Sequence, residues 1–275
     1  MLQADTAGGM AVRACVVCPQ KPAWPWQVIA RGLDAAGFDP IFGHHDPAGF
    51  DLCVTWNDFG IRGKTGRAFR DAGVPHLVIE NGPRVAGDSL LIQRGGHNGS
   101  RYLREAGETD RFSMWGREIE PWRGENGFAL ILGQRGGKYS ELAMPREWPR
   151  EAAHALSDLG YANMVYRPHP ERAALAVKLP RGLSQQDPAK PLREALRGAA
   201  ACVTFSSMGI VEALLQGVPS AFCAPRHIAE EIAAPSIFGL VTLGEPDRRA
   251  FFQKLAWNIW EYREVENGLA FHAYL

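Results

Sequence analysis

The chain has 275 residues, 46% of them hydrophobic and 22% charged, which suits two ordinary domains with buried cores and excludes a disordered or fibrous protein. Thirty Lys and Arg balance thirty Asp and Glu, so no long-range field toward nucleic acid or an anionic membrane is expected, although a local basic patch stays open. The five cysteines sit mostly in apolar runs and read as reduced, packed thiols of a cytoplasmic protein; Cys15-x-x-Cys18 lacks the second pair that a zinc or redox site would need. The first ten residues carry neither a basic n-region nor a long apolar stretch, so no signal peptide is expected, and no run reaches membrane-spanning length.

Val12 to Cys18 is an apolar run ending at Pro19 and is predicted to be a buried strand. Trp26 to Ala36 has helical spacing and stops at Gly37; short strands follow at Pro40 to Gly43 and Leu52 to Trp56. Arg62 to Ala72 is a basic helix closed by Gly73, and His76 to Glu80 is a strand that runs into Asn81-Gly82-Pro83. Strands alternating with helices of this length imply parallel βαβ units. Between Gly82 and Pro121 the pattern is lost, in a stretch rich in Gly, Arg and Ser that is predicted to be a functional loop region. Pro121 to Gly127 reads as a linker, and Phe128 to Leu132 opens a second α/β series. Trp148 to Leu159 is a helix closed by Gly160, Asn163 to Tyr166 a strand that stops at Arg167-Pro168-His169-Pro170, and Pro191 to Arg197 a short helix. Ala201 to Ala221 then reads as strand, tight turn, helix, turn and next strand. Arg248 to Glu266 is predicted as one long helix with Trp257 and Trp260 on one face.

In a parallel sheet a ligand lies beyond the carboxyl ends of the strands. Three such ends in the second half carry polar residues: Gly133 to Lys138 after one strand, Arg167 and His169 after another, Ser206 and Ser207 after a third. Cations, a rigidly held histidine, hydroxyls and exposed amides are what a diphosphate requires. Glu212, in the following helix, is placed to reach a ribose hydroxyl. Each piece alone has a plain alternative: Ser206 and Ser207 as a helix cap, Glu212 as a solvated helix residue, the glycine-rich loop as a hairpin, Arg167 to Pro170 as a stiff turn. The glycine-rich loop lacks G-x-x-x-x-G-K-[ST], so P-loop hydrolysis is not indicated.

R-P-H-P (Arg167 to Pro170) together with S-S-x-G-x-x-E-A-L-x-x-G-x-P (Ser206 to Pro219) resembles the HP and SS motifs of bacterial capsule-type glycosyltransferases, the polysialyl and Kdo transferases. A longer likeness is to phage-encoded proteins of this length regarded as glycosyltransferases. It runs through E-N-G (Glu80 to Gly82), H-N-G (His97 to Gly99), G-Q-R-G (Gly133 to Gly136), A-M-P (Ala143 to Pro145), R-P-H-P and the terminal Leu255 to Phe271; Pro83 departs from it where an aromatic is expected. The resemblance implies an α/β chain of two Rossmann-like domains facing a cleft, the GT-B fold. The domains expected are 1–120 for the acceptor, 121–247 for a nucleotide sugar, and 248–275 as a helix crossing back to the amino-terminal domain. It also implies that Arg167, His169, Ser206 and Ser207 meet the donor phosphates and Glu212 the ribose. The strand-end reading adds Gln134, Arg135, Gly136 and Lys138. The expected donor is a UDP-sugar first and a CMP-sugar second. No obligatory metal is expected, because Arg135, Lys138 and His169 can supply positive charge and no D-x-D cluster occurs.

Transfer to a hydroxyl needs a base in the amino half. Glu80, His97 and Asp58 are the candidates, with Glu80 ranked first and His97 next. The phage likeness implies an acceptor: a 5-hydroxymethylpyrimidine base in double-stranded phage DNA, modified in the host cytoplasm. Arg62, Lys64, Arg67, Arg70, Arg84, Arg94 and Arg101 would then track phosphates, and the base would be flipped out. A saccharide acceptor, a nucleotide-sugar epimerase or hydrolase, and a non-catalytic nucleotide-binding module of the same fold are the alternatives. The sugar, the stereochemistry and the oligomeric state are left open by the residues.

Overall fold

A computed structural model describes residues 12–21, 25–83, 86–124, 126–134, 141–170, 179–180 and 183–275. The chain divides into two compact units, the first comprising Met1–Gly82, Asp88–His97 and Asn258–Leu275, the second Pro83–Gly87 and Asn98–Trp257.

The first unit opens with β1 (Val12–Val17), α1 (Trp26–Ala35), β2 (Phe38–Phe42), β3 (Leu52–Trp56), α2 (Ile61–Asp71), β4 (His76–Asn81) and β5 (Ser89–Arg94). Successive strand residues point to opposite faces, and here both faces are apolar. Ala14, Val16, Leu52, Val54, Leu77, Ile79, Leu90 and Ile92 pack with Ile29 and Leu33 of α1. Cys15, Val17 and Cys53 pack on the other side with Phe69 of α2. A sheet covered by helices on both faces, parallel from β1 to β4 and antiparallel at β5, produces this pattern. Helix α2 stops where Gly73 takes a φ of 77° and the Val74 N–H turns back to the Phe69 carbonyl at 2.9 Å. Strand β5 is a correction to the predicted loop region. Its apolar core, Leu90-Leu91-Ile92, is short and bounded by Gly87 and Gly95, so periodicity gives no signal; antiparallel pairing with β4 makes it a strand.

The second unit runs through β6 (Phe128–Leu132), α3 (Trp148–Asp158), β7 (Met164–Arg167), β8 (Ser184–Gln185), α4 (Leu192–Ala195), β9 (Ala199–Thr204), α5 (Gly209–Leu215), β10 (Ser220–Phe222) and α6 (Arg248–Ala256). Its sheet is parallel throughout, in the order β10-β9-β6-β7-β8. The order reverses between β6 and β9, the switch point beside which parallel sheets bind ligands. Ala129, Ile131, Ala201 and Val203 face Trp148, Ala152 and Leu156 of α3, while Leu130, Leu132 and Cys202 face Ala213 of α5. Residues 98–120, placed in the amino-terminal domain by the predicted boundary, pack within this unit: Phe112 stacks on Phe252 of α6 at 5.4 Å, and Trp257 Nε1 donates to the Thr109 carbonyl at 3.0 Å.

The predicted terminal helix is broken. Helix α6 is capped by Asp247, whose side chain accepts the Ala250 N–H, and it ends before Trp257. The chain then returns to the first unit as β11 (Ile259–Glu261), α7 (Tyr262–Glu266) and α8 (Leu269–His272), completing a sheet in the order β11-β5-β4-β3-β1-β2. Fully buried Asn258 explains the break. Its Oδ1 accepts the Tyr274 hydroxyl at 2.7 Å and its carbonyl accepts the Ile92 N–H at 2.9 Å, which pulls the backbone out of helix and into the sheet. Trp257 therefore stays with the second unit while Trp260 enters the first unit's core, and the two do not share a helix face.

Helices α1 and α7 meet at Gly32, where an added Cβ would lie 2.0 Å from the Val265 carbonyl oxygen and 2.8 Å from the Phe271 ring. Gly32→Ala is expected to destabilise the protein by about 1–3 kcal/mol through overpacking, read as a lower urea midpoint with unchanged slope. An unaltered midpoint would mean that this contact yields freely.

Candidate functional site

In the second unit, Leu132 of β6 is paired with Thr204 of β9, so Gln134 and Ser206 leave the two strands side by side at the switch point. They bind each other twice: Gln134 Nε2 donates to Ser206 Oγ at 2.7 Å, and the Ser206 N–H donates to Gln134 Oε1 at 2.8 Å. Ser206 Oγ passes its own proton to the Leu142 carbonyl at 2.6 Å. The hydroxyl is buried and gives its proton to that carbonyl, so in this structure Ser206 locks two strand ends together. Ser207 differs. Its Oγ accepts the Gly209 N–H at 3.2 Å, which leaves the hydroxyl proton for a ligand, and its N–H is taken by Thr204 Oγ1 at 2.9 Å. Gly133 is required by close approach, since a Cβ there would sit 2.4 Å from the Tyr166 hydroxyl.

Arg167 ends β7 with only 7% of its surface exposed. Its guanidinium donates to the carbonyls of Asp187 (3.1 Å), Pro188 (3.2 Å) and Lys190 (2.5 Å). In this structure the Arg167 side chain holds the 187–190 loop with three of its five N–H groups. His169 lies half-buried two residues beyond the strand end. Arg135, Gly136 and Lys138 lie outside the described residues, as does Arg84.

Glu212 is buried on α5, and Arg117 Nη2 donates to its Oε1 at 3.0 Å, joined by Gln216 Nε2 at 3.4 Å. Sequence reasoning missed Arg117, because nothing in a stretch without periodicity pairs it with a residue 95 positions away. It also missed two supports of the Ser206-Ser207 turn. Asn98, at a φ of 52°, donates from Nδ2 to the Ser206 carbonyl and accepts the Ile228 N–H at Oδ1, both at 3.3 Å. His227 is fully buried; its Nδ1 accepts the Ala229 N–H at 3.1 Å, so Nε2 carries the proton and donates to the Ser207 carbonyl at 3.2 Å. The H-N-G triplet is thus divided, with His97 in the first unit and Asn98 in the second.

In the first unit the structure joins two of the three candidate bases. Arg94 of β5 lies opposite Leu77 of β4; the chain then turns at Gly95, φ 77°, and brings His97 Nε2 to 2.7 Å from Glu80 Oε2. Their side chains are 8% and 19% exposed respectively. Among the described residues nothing hydrogen-bonds Glu80 Oε1, a buried acceptor atom. Phe59 sets its ring against His97, with centroids 4.7 Å apart and planes at 84°. Asp58 is not brought to this pair by any hydrogen bond; its carboxylate lies against Gly63 in α2. Behind the pair, Arg70 Nη1 donates to His76 Nδ1 at 2.7 Å, and His76 Nε2 meets Thr55 Oγ1 at 2.8 Å.

The basic residues do not form one stripe. Lys64 and Arg67 are exposed on α2, but Arg70 turns inward to His76, Arg94 is bound to the Tyr274 carbonyl, and Arg101 stacks on Tyr102. Among the described residues no group of three or more His, Cys, Asp or Glu could hold a metal ion, and no helix is long and apolar enough to cross a membrane. Those residues contain five free cysteines, of which Cys15, Cys53 and Cys202 are buried.

Two α/β units, one with a wholly parallel sheet and one with a sheet parallel from β1 to β4 and antiparallel at β5 and β11, are of the GT-B type, and solved structures share the fold. The beta Kdo 2,4 transferase of KpsC from Thermosulfurimonas dismutans superposes with a TM-score of 0.63 at 14% identity, covering 90% of this chain and 91% of that one. The beta Kdo 2,7 transferase of the same organism's KpsC gives 0.60 at 13% identity, covering 96% and 99%. At such identity the likeness is one of fold. No protein-family model matches the sequence, and no curated protein does.

Ser206→Ala is expected to cost about 1–3 kcal/mol of stability because it strands buried partners, whereas Ser207→Ala should cost less than about 1 kcal/mol. Equal losses in urea unfolding would show that the two hydroxyls are not divided in this way. Burial, reinforced by the Arg70 guanidinium, pushes the His76 imidazole from 6.5 down to about 3. The unfolded chain therefore binds a proton below about pH 6.5 that the folded chain refuses until about pH 3, so the associated stability is full above that window and falls with pH by about 1.4 kcal/mol per unit within it. His76→Gln should flatten this slope between pH 6.5 and 4.5, measured against the parent by urea unfolding; parallel slopes would contradict it.

Proposed function

We propose that this protein is a glycosyltransferase that moves a sugar from a nucleotide-sugar donor, UDP-linked or CMP-linked, to an acceptor hydroxyl. The Glu80–His97 pair carries this reading. A carboxylate with one oxygen held by an imidazole at 2.7 Å and the other buried and, among the described residues, without a hydrogen-bond partner is arranged to take a proton at a fixed place. In the transfer, Glu80 Oε1 receives the acceptor's hydroxyl proton, the acceptor oxygen bonds to the anomeric carbon, and the nucleotide leaves with the electron pair of the broken C–O bond. Donor binding falls to the second unit, where the Ser207 hydroxyl and His169 meet the phosphates, with Arg135 and Lys138 as the cations the sequence offers. Glu212, with Oε1 held by Arg117 and Gln216, meets the ribose through Oε2. The fold shared with two Kdo transferases supports a sugar-transfer role.

A saccharide hydroxyl and a 5-hydroxymethylpyrimidine in phage DNA are the two acceptor classes. The inward turn of Arg70 to His76 takes one cation from a phosphate-tracking surface and favours the saccharide. The protein is incubated with a panel of nucleotide sugars and either oligosaccharides, plain DNA or hydroxymethylated DNA, and the products are resolved by mass. Modified DNA nucleosides would establish the DNA acceptor; nucleotide release without any sugar adduct would indicate a hydrolase. With an active pair in hand, Glu80→Gln should leave donor affinity within about twofold and lower turnover by about 100-fold or more. Full turnover in that variant would place the base elsewhere.

A further inference from the structure

Buried polar side chains inside an apolar sheet cost free energy unless they are fully paired, so a paired chain of them calls for an explanation. Thr55 is fully buried and His76 is 2% exposed, both among apolar strand residues. Their hydrogen bonds have only one consistent direction. Arginine can only donate, so His76 Nδ1 accepts from Arg70; Nε2 then carries the proton and gives it to Thr55 Oγ1, whose own proton passes to the Asn57 carbonyl at 2.8 Å. Gly66 makes room for the ring, because a Cβ there would lie 2.3 Å from His76 Cε1.

The chain ends at a strained turn. Asn57 holds a φ of 54°, and its Oδ1 accepts the Phe59 N–H at 3.2 Å, which fixes the residue whose ring packs edge-on against His97. A second arm leaves His76 through its backbone: its carbonyl accepts the Gly95 N–H at 2.7 Å, at the turn that delivers His97. One residue therefore anchors both the ring that packs on His97 and the turn that carries it. We propose that His76, acting through Thr55, Asn57 and Phe59 and through Gly95, is a positioning residue that sets the His97 imidazole against Glu80. The inference rests on the reading of Glu80 and His97 as the proton-accepting pair.

The test reads His97 directly, by NMR of protein carrying 15N-labelled histidine, beside turnover, donor affinity and melting temperature. Thr55→Val keeps the volume and removes the hydroxyl; Thr55→Ser keeps the hydroxyl. The Thr55→Val protein is expected to displace the His97 ring resonances, move the pH profile, and lower kcat about tenfold with donor Kd within about twofold, while Thr55→Ser retains the parent His97 spectrum. Asn57→Gly keeps the left-handed backbone but frees the Phe59 N–H, and it should displace the same resonances; it decides the matter if Thr55→Val does not fold. A lowered melting temperature with His97 resonances and pH profile unmoved overturns the proposal. Glu80→Gln separates the two ideas: retained turnover there, with His97 still displaced in Thr55→Val, removes the base assignment and leaves the coupling in place.

Discussion

The double hydrogen bond between Gln134 and Ser206 closes the point on which the second unit depends. Where a parallel sheet reverses its strand order, two strand ends emerge side by side with backbone groups that no ladder satisfies. Here one side-chain amide supplies both a donor and an acceptor to one serine, and that serine closes the account with the Leu142 carbonyl. Everything that would face a ligand at this edge is built on that lock. Asn98 braces its carbonyl, His227 braces the next one, and Ser207 is left as the hydroxyl with a proton to give. Polar residues at this edge thus divide into one whose hydroxyl proton is not used by these bonds, Ser207, and those bonded within the fold.

The same division recurs in the first unit. Glu80 lies on β4 and His97 three residues beyond the end of β5; a left-handed turn at Gly95 precedes their meeting, and a buried polar chain lies behind it. Apolar residues could fill the volume of Thr55 and His76, but they could not fix the Asn57 carbonyl or hold the turn beyond it. Polar burial of this kind is justified by geometry more readily than by stability.

Arg167 and Arg117 show how a strand-end motif can mislead about individual atoms. Arg167 stands where an anion-binding cation is expected, and in this structure three loop carbonyls take bonds from its guanidinium. Arg117 stands in a stretch without visible pattern and supplies the cation beside Glu212. A carboxylate on α5 with one oxygen doubly held offers its other oxygen in a defined direction, which suits a diol better than a freely rotating side chain would.

The sequence by itself determined the two α/β series, most strand and helix positions, the glycines that close α2 and α3, and the three strand ends where polar residues gather. These follow from local rules: the two-residue period of a strand, the helical period, and the left-handed freedom of glycine. Strand β5 and the break at Asn258 were illegible because each depends on a partner far along the chain, Leu91 on Ile259 and Asn258 on Ile92. Only the tertiary structure decided which polar residue faces outward. Ser206 and Ser207 are chemically identical neighbours, and their difference lies in a carbonyl 64 residues away that takes the proton of one and not of the other.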